Sequence, residues 1–414
     1  MRKVLLPCLL LLLINACQKE PLLPGTPRLL RMPDRFNRVV HTHVRKDTTE
    51  EEASGPPAVW ITALEFPTWA DWRSGDLRGA DVVLYRDGVP VRRVSAGGNP
   101  DPERHRVRGG HLWTDCIDGR ETVLLRDGEP LLRWPGEEVL MGFWEENGHV
   151  YTLGQRPGGQ GFSFRRDGKE VFSDPSGVIT GSLNDREWSG GALTRDKPGL
   201  CYTYGIPIQG GSRAEWEYRV MCRDSCLKVI PKGTGNLTYD IRVWNGSIWR
   251  AERRTESPAT LCLVQDNTYH SLGLSANATP GRIRLVPCME EMAVKASGGH
   301  NNNRWTFWYR IRDKLILQIN DNCEMADVWL EGGDYASISL SEGRIYQIRH
   351  GNGSLLKGAD AQPYRLTSPL CADLRDGVFR AALSSAEGDR HLILSDEGAI
   401  PLTFNGYFTS LRVE

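Results

Sequence analysis

The chain has no apolar run long enough to cross a bilayer as a helix, no surplus charge of either sign and no extended stretch of helical periodicity. Each absence excludes something. The longest apolar stretch, Val4 to Ile14, holds eleven residues and is broken by Pro7 and Cys8, well short of the roughly twenty that a membrane helix needs. With 51 Lys and Arg against 52 Asp and Glu the formal net charge is −1, so electrostatics offers no reason to expect nucleic acid as a partner. The lack of helical patterning, beside 44 Gly and 13 Trp, favours short strands joined by turns. Catalytic signatures are missing too: there is no His-Glu-x-x-His, no Gly-x-Ser-x-Gly and no phosphate-cradling Gly-rich loop ahead of a helix. No residue is nominated as catalytic, no metal set emerges and no cofactor is implied.

What is present begins with an address. Arg2 and Lys3 precede the apolar stretch, which ends in Ile14-Asn15-Ala16-Cys17. Such a basic start and short apolar core mark an export signal over residues 1–16. The last four residues resemble the lipobox of bacterial lipoproteins, which implies cleavage before Cys17, lipidation of that residue and a membrane partner without a transmembrane helix. Gln18 stands where, in that family, an Asp would imply retention in the inner membrane, so the outer membrane is the expected location. Residues 17–55 carry Pro21, Pro24, Pro27, Pro33 and the acidic stretch Asp47 to Glu52, the composition of a solvated tether. His41 and His43 lie within it and, lacking neighbouring ligands, read as solvated.

From residue 56 to 414 the composition is that of a folded domain, 40% hydrophobic and 25% charged over the whole chain. Three Asp-Gly pairs, at Asp87, Asp127 and Asp167, are spaced 40 residues apart, and each separates two strand-like runs in the manner of a hairpin turn. A second, usually aromatic mark recurs further along the chain, at Trp60, Trp113, Tyr151, Tyr202, Trp249, Val294, Tyr335 and Phe379. The mean period of roughly 46 residues falls near that of propeller blades. The expected fold is an all-β β-propeller of eight four-stranded blades, or seven if the poorly marked unit around Val294 merges with a neighbour. In the second unit the strands are expected over 111–117, 122–126, 130–134 and 139–144. The segments from Gly110 to Glu129 and from Gly148 to Lys169 resemble the repeat of Bacteroidetes-type β-propeller lipoproteins, with residues 80 to 175 carrying the resemblance and the remainder following by period. That resemblance implies fold and anchor and brings no catalytic residues with it.

Eight cysteines remain beyond Cys8 and Cys17, an even number that permits disulfides in an exported chain. Cys222 and Cys226 flank Arg223-Asp224-Ser225, read as a three-residue hairpin loop, and are the expected bridge; buried thiols are the competing reading. The acidic pairs Glu137-Glu138, Glu145-Glu146 and Glu290-Glu291 read as a solvated rim. A sialidase-type Asp-box fails at Asp396, because Leu394 occupies its serine position. Binding candidates are Trp69 and Trp72, in an insertion of about twenty residues after Ile61, and the arginines before the turns, Arg86, Arg126 and Arg166. Core packing competes for both Trp. The expected function is a lipid-anchored envelope binding or scaffold protein, for a glycan or another envelope protein, with a glycan-acting hydrolase or lyase as the alternative.

Overall fold

The computed structural model describes residues between 58 and 413 with short segments left out, and between 304 and 355 it describes the backbone alone. The expectations for Cys17, the tether and His41-His43 lie outside the described residues. Within the described residues the architecture is propeller-like and all-β: eight antiparallel sheets follow one another along the chain, six of four strands and two of five.

The first sheet contains β1 (Val59–Glu65), β2 (Asp81–Arg86) and β3 (Val89–Ser95), and its fourth member is the terminal strand Gly406–Val413, paired with β1. The second holds β4 (His105–Arg108), β5 (His111–Asp118), β6 (Glu121–Arg126) and β7 (Glu129–Pro135). The third holds β8 (Val139–Glu146), β9 (His149–Gln155), β10 (Phe162–Arg166) and β11 (Lys169–Asp174). Each of the eight expected marks falls on a strand of a different sheet, next to the strand at one edge. The phase of the unit differs from the sequence expectation. Residues 139–144 open the third sheet instead of completing the second, whose first strand is His105–Arg108. A period alone carries no starting point; Pro135 and Gly136, the latter at φ 98°, turn the chain out of one sheet and into the next.

Each described core is shared by two consecutive sheets. Trp113, Leu124 and Trp134 of the second sheet pack with Leu140, Phe143 and Val150 of the third. Phe162, Phe164 and Tyr151 of the third pack with Tyr202, Tyr204 and Met221 of the fourth. Phe379, Leu383 and Ile393 of the eighth share a core with Ile61, Val83, Phe408 and Leu411 of the first. These side chains come from alternate positions of buried strands, which supply an apolar face at every second residue.

The Asp-Gly pairs form two-residue turns with both residues at positive φ, 51° and 81° at Asp87-Gly88, 59° and 88° at Asp127-Gly128, and 51° and 77° at Asp167-Gly168. That is the primed geometry whose twist matches the flanking strands. The aspartates do more than tolerate the turn. Asp87, Asp127 and Asp167 each accept a backbone N–H at the start of the strand beside the turn's own hairpin, from Val59 of β1 at 2.8 Å, Leu112 of β5 at 2.9 Å and Val150 of β9 at 2.9 Å. Asp127 also accepts from His111 Nδ1 at 2.6 Å and meets Arg92 of the preceding sheet. Burial opposes ionisation of Asp127, but the donors from His111, Leu112 and Arg92 outweigh it and hold its carboxyl below the ordinary value. Asp127→Ala should therefore cost about 1–3 kcal/mol, because it strands a strand-opening amide and a guanidinium at a sheet junction. Urea unfolding measures it, and a midpoint unchanged from the parent would show the turn aspartate to be dispensable.

Candidate functional site

A cleft of about 640 Å³ lies where the second and third sheets meet. Arg120, from the β5–β6 turn, and Arg156, just after β9, stand on its walls with Glu137 and Glu138 from the link between β7 and β8, and Arg165 and Glu170 from β10 and β11. Local hydrogen bonds hold that link in place. Gly136 N–H donates to Arg120 O at 2.9 Å, Thr122 Oγ1 donates to Gly136 O at 2.7 Å, and Glu138 N–H donates to Thr122 Oγ1 at 2.9 Å.

Glu138 is the hub. Its side chain is 4% exposed and accepts from Trp134 Nε1 at 3.0 Å, Ser163 Oγ at 2.8 Å and Arg165 Nη2 at 3.1 Å. The approach is close enough that a Cβ on Gly154 would stand 2.4 Å from Glu138 Oε2, so any larger residue there would displace the carboxylate. The expectation of a solvated acidic rim is thus overturned for Glu138: no sequence pattern distinguishes an acid facing solvent from one that donors of two adjacent sheets enclose. Arg165 also lies 3.5 Å from Glu170, and its Nε–H has no protein partner. A buried ion pair is tolerated only when hydrogen bonds satisfy it, and here the carboxylate is saturated while the guanidinium keeps a donor to spare. That buried pair forms the base of the cleft, and the charged groups left open on its walls are those of Arg120, Arg156, Glu137 and Glu170, a lining for a ligand rich in hydroxyls or carrying an acid group.

The residues nominated from sequence do not gather in one place. Trp69 and Trp72 lie in the short helix α1 (Trp69–Ser74), capped by Thr68 and by Gly75 in the left-handed conformation. Trp72 is buried with Leu64, Phe66 and Val82, whereas Trp69 is 46% exposed. Trp69 Nε1 donates to Glu387 O at 3.2 Å, and the Arg73 guanidinium sits 4.8 Å over its ring. Period arithmetic cannot show this division, since two Trp three apart on one helical turn can straddle its buried and exposed sides. Moreover, α1 connects β1 to β2 beyond the Glu65–Asp81 end of the ladder, while Arg86 lies at the other end opposite Trp60. Five residue steps along a strand separate those ends by roughly 17 Å. The helix and the Arg-Asp-Gly turn of this sheet therefore cannot share one small ligand.

The three turn arginines have a local occupation. Arg86, Arg126 and Arg166 stand directly across the ladder from Trp60, Trp113 and Tyr151. Their guanidinium carbons lie 5.5, 5.8 and 6.0 Å from those rings, within cation–π range. Cys222 and Cys226 are likewise kept apart. The hairpin loop has two residues, Arg223 and Asp224, so Cys222 faces Ser225 and Cys226 faces Met221. Cys222 is buried and Cys226 exposed; Cys226 is one position beyond Ser225, the partner of Cys222, so its side chain falls on the opposite face of the sheet.

Among the described residues no group of three or more His, Cys, Asp and Glu is disposed to hold a metal ion, and no helix is long and apolar enough to cross a membrane. No family model and no curated protein matches the chain. Several solved structures are similar in backbone. The dihydro-heme d1 dehydrogenase NirN in complex with DHE matches at 11% identity over 86% of this chain and 74% of its own, with a TM-score of 0.48. Apo AztD from Citrobacter koseri matches at 10% identity over 87% and 98%, with a TM-score of 0.46. The β-propeller domain of the Trilobed protease from Pyrococcus furiosus matches at 7% identity over 73% and 93%, with a TM-score of 0.43. Likenesses at this level say nothing of ligand or activity.

Proposed function

We propose that the protein is a binding module of the cell envelope, anchored through lipidated Cys17 in the outer membrane, whose eight sheets form the blades of a closed propeller. The pairing of the terminal strand with β1 and the core shared by the eighth and first sheets support closure. Its ligand is a glycan held in the cleft between the second and third blades. The observation that carries this reading is the cleft's lining, in which Arg120 and Arg156 stand with Glu137 and Glu170 around the buried Glu138–Arg165 pair. A volume of about 640 Å³ lies within the range of small-ligand sites.

A screen of neutral and acidic oligosaccharides tests the proposal. Arg120→Ala with Arg156→Ala should weaken binding of any glycan found by tenfold or more while the Tm stays within about 2 °C of the parent, since surface substitutions cost little. Binding that survives this pair but is lost in Trp69→Ala would move the site to α1 and overturn the assignment. Turnover of the bound glycan, abolished by Glu137→Gln, would replace the binding module with the hydrolase or lyase reading.

A further inference from the structure

One position recurs in five sheets and is occupied differently in one of them. In each, the amide of the first residue of the outer turn donates to a carbonyl at the start of the strand beside the turn's own hairpin: Asp87 to Val59 at 2.8 Å, Asp127 to Leu112 at 2.7 Å, Asp167 to Val150 at 2.8 Å, Arg223 to Leu200 at 2.8 Å and Asp266 to Ile248 at 2.7 Å. The next pair along the ladder is then structurally equivalent in all five. It is Trp60 with Arg86, Trp113 with Arg126, Tyr151 with Arg166 and Trp249 with Gln265. In the fourth sheet it is Cys201 with Cys222. The aromatic read in the sequence as this unit's mark, Tyr202, is one residue out of phase and faces the opposite side of the strand.

We propose that Cys201 and Cys222 form a disulfide, a cross-strand bond that replaces the aromatic–polar contact of the sister sheets. The hydrogen-bonded pair Leu200–Arg223 makes the adjacent Cys201–Cys222 pair a non-hydrogen-bonded one. At such a pair the Cα atoms are about 4.5 Å apart and the side chains converge, inside the 4.4–6.8 Å that a disulfide spans. Space is already made, since Gly199 stands where a Cβ would come within 2.9 Å of Cys222 Sγ. Oxidation breaks two S–H bonds and forms one S–S bond, and the two electrons and two protons pass to a small disulfide such as oxidised glutathione, which leaves as two thiols. Burial pushes the Cys201 thiol up, with the Cys222 sulfur beside it adding to the effect, so the folded protein holds little of the thiolate that would attack. The bond therefore forms during folding, before the sheet closes over both sulfurs.

The full chain refolded from denaturant in mixed oxidised and reduced glutathione, and the same chain secreted into an oxidising compartment, are alkylated and digested with trypsin without reduction. Cleavage after Arg223 separates the two cysteines of the hairpin, leaving Cys222 in residues 220–223, Cys226 in 224–228 and Cys201 in 196–213. The expected product joins 196–213 to 220–223, two hydrogens lighter than the sum of its parts, with Cys226 alkylated. Cys226→Ala should keep the link, Cys222→Ser should leave Cys201 alkylatable, and the linked protein should melt several degrees above its reduced form. Alkylation of both Cys201 and Cys222 in natively folded protein from either source, or linkage of either to Cys226, overturns the proposal without touching the glycan reading.

Discussion

Removal of residues 406–414 should abolish cooperative folding. The terminal strand completes the first sheet along β1 and carries Phe408, Leu411 and Val413, at 0, 1 and 4% exposure, into the core shared with the eighth sheet. Its contacts reach beyond that sheet on both sides. Arg412 Nη1 donates to Val107 O of the second sheet at 2.9 Å, and Val413 N–H donates to Asp373 of the eighth at 3.2 Å. Truncating a single large core side chain costs about 2–5 kcal/mol. Losing three together, with the ladder hydrogen bonds and an exposed β1 edge added, exceeds the roughly 5–15 kcal/mol by which domains are stable. Scanning calorimetry of the truncated chain should show no single endotherm. A sharp transition within about 5 °C of the parent would mean that the first and eighth sheets are held together without the strand, and would remove the main support for a closed ring.

The second large effect is expected from acid. Two histidines are buried as neutral rings: His105, whose Nδ1 meets Thr114 Oγ1 at 2.9 Å, and His391, which lies between Ser384 Oγ at 2.9 Å and the Phe404 carbonyl at 3.0 Å and stacks on the Phe404 ring at 3.6 Å. Desolvation holds both down to about 4, from an ordinary 6.5. The unfolded chain therefore binds more protons than the folded one between those values, so stability is full above pH 6.5 and falls as pH drops towards 4. Below that both states are protonated and the loss levels off. Each ring contributes on the order of 3 kcal/mol across the window, and the two together roughly 6 kcal/mol. Urea unfolding from pH 7 to 4 should show the fall. His391→Gln, which keeps a hydrogen-bonding group but does not titrate there, should remove about half of it; an identical slope in that variant would show that His391 takes no part.

Much of the repeat was legible because it is written locally. A turn that needs positive φ at two successive residues selects Asp-Gly, and a strand buried on one face shows its period in any short window, so the eight marks found eight sheets. The cleft was not legible. Glu138 reads as half of an acidic pair on a strand end, and only the donors from Trp134, Ser163 and Arg165 make it a buried hub. The nearest signal was a glycine inside a strand at Gly154, the mark of a close approach by another group.

Sequence alone determined the all-β class, the recurrence of the unit, the turn chemistry and the balance of charge, since these depend on residues within a few positions of one another, whereas the choice between eight and seven units came from the sheets themselves. The tertiary structure decided the rest. The starting strand of each sheet depends on the terminal strand pairing with β1 nearly the whole domain away, a contact that no local period encodes. Ladder register decided that Trp69 and Arg86 occupy opposite ends of one sheet, and that Cys222 faces Cys201 across the strands instead of joining Cys226 beside it. A shift of a single residue reverses the side of the sheet on which every side chain falls, and register is set by pairing between strands rather than by either strand alone.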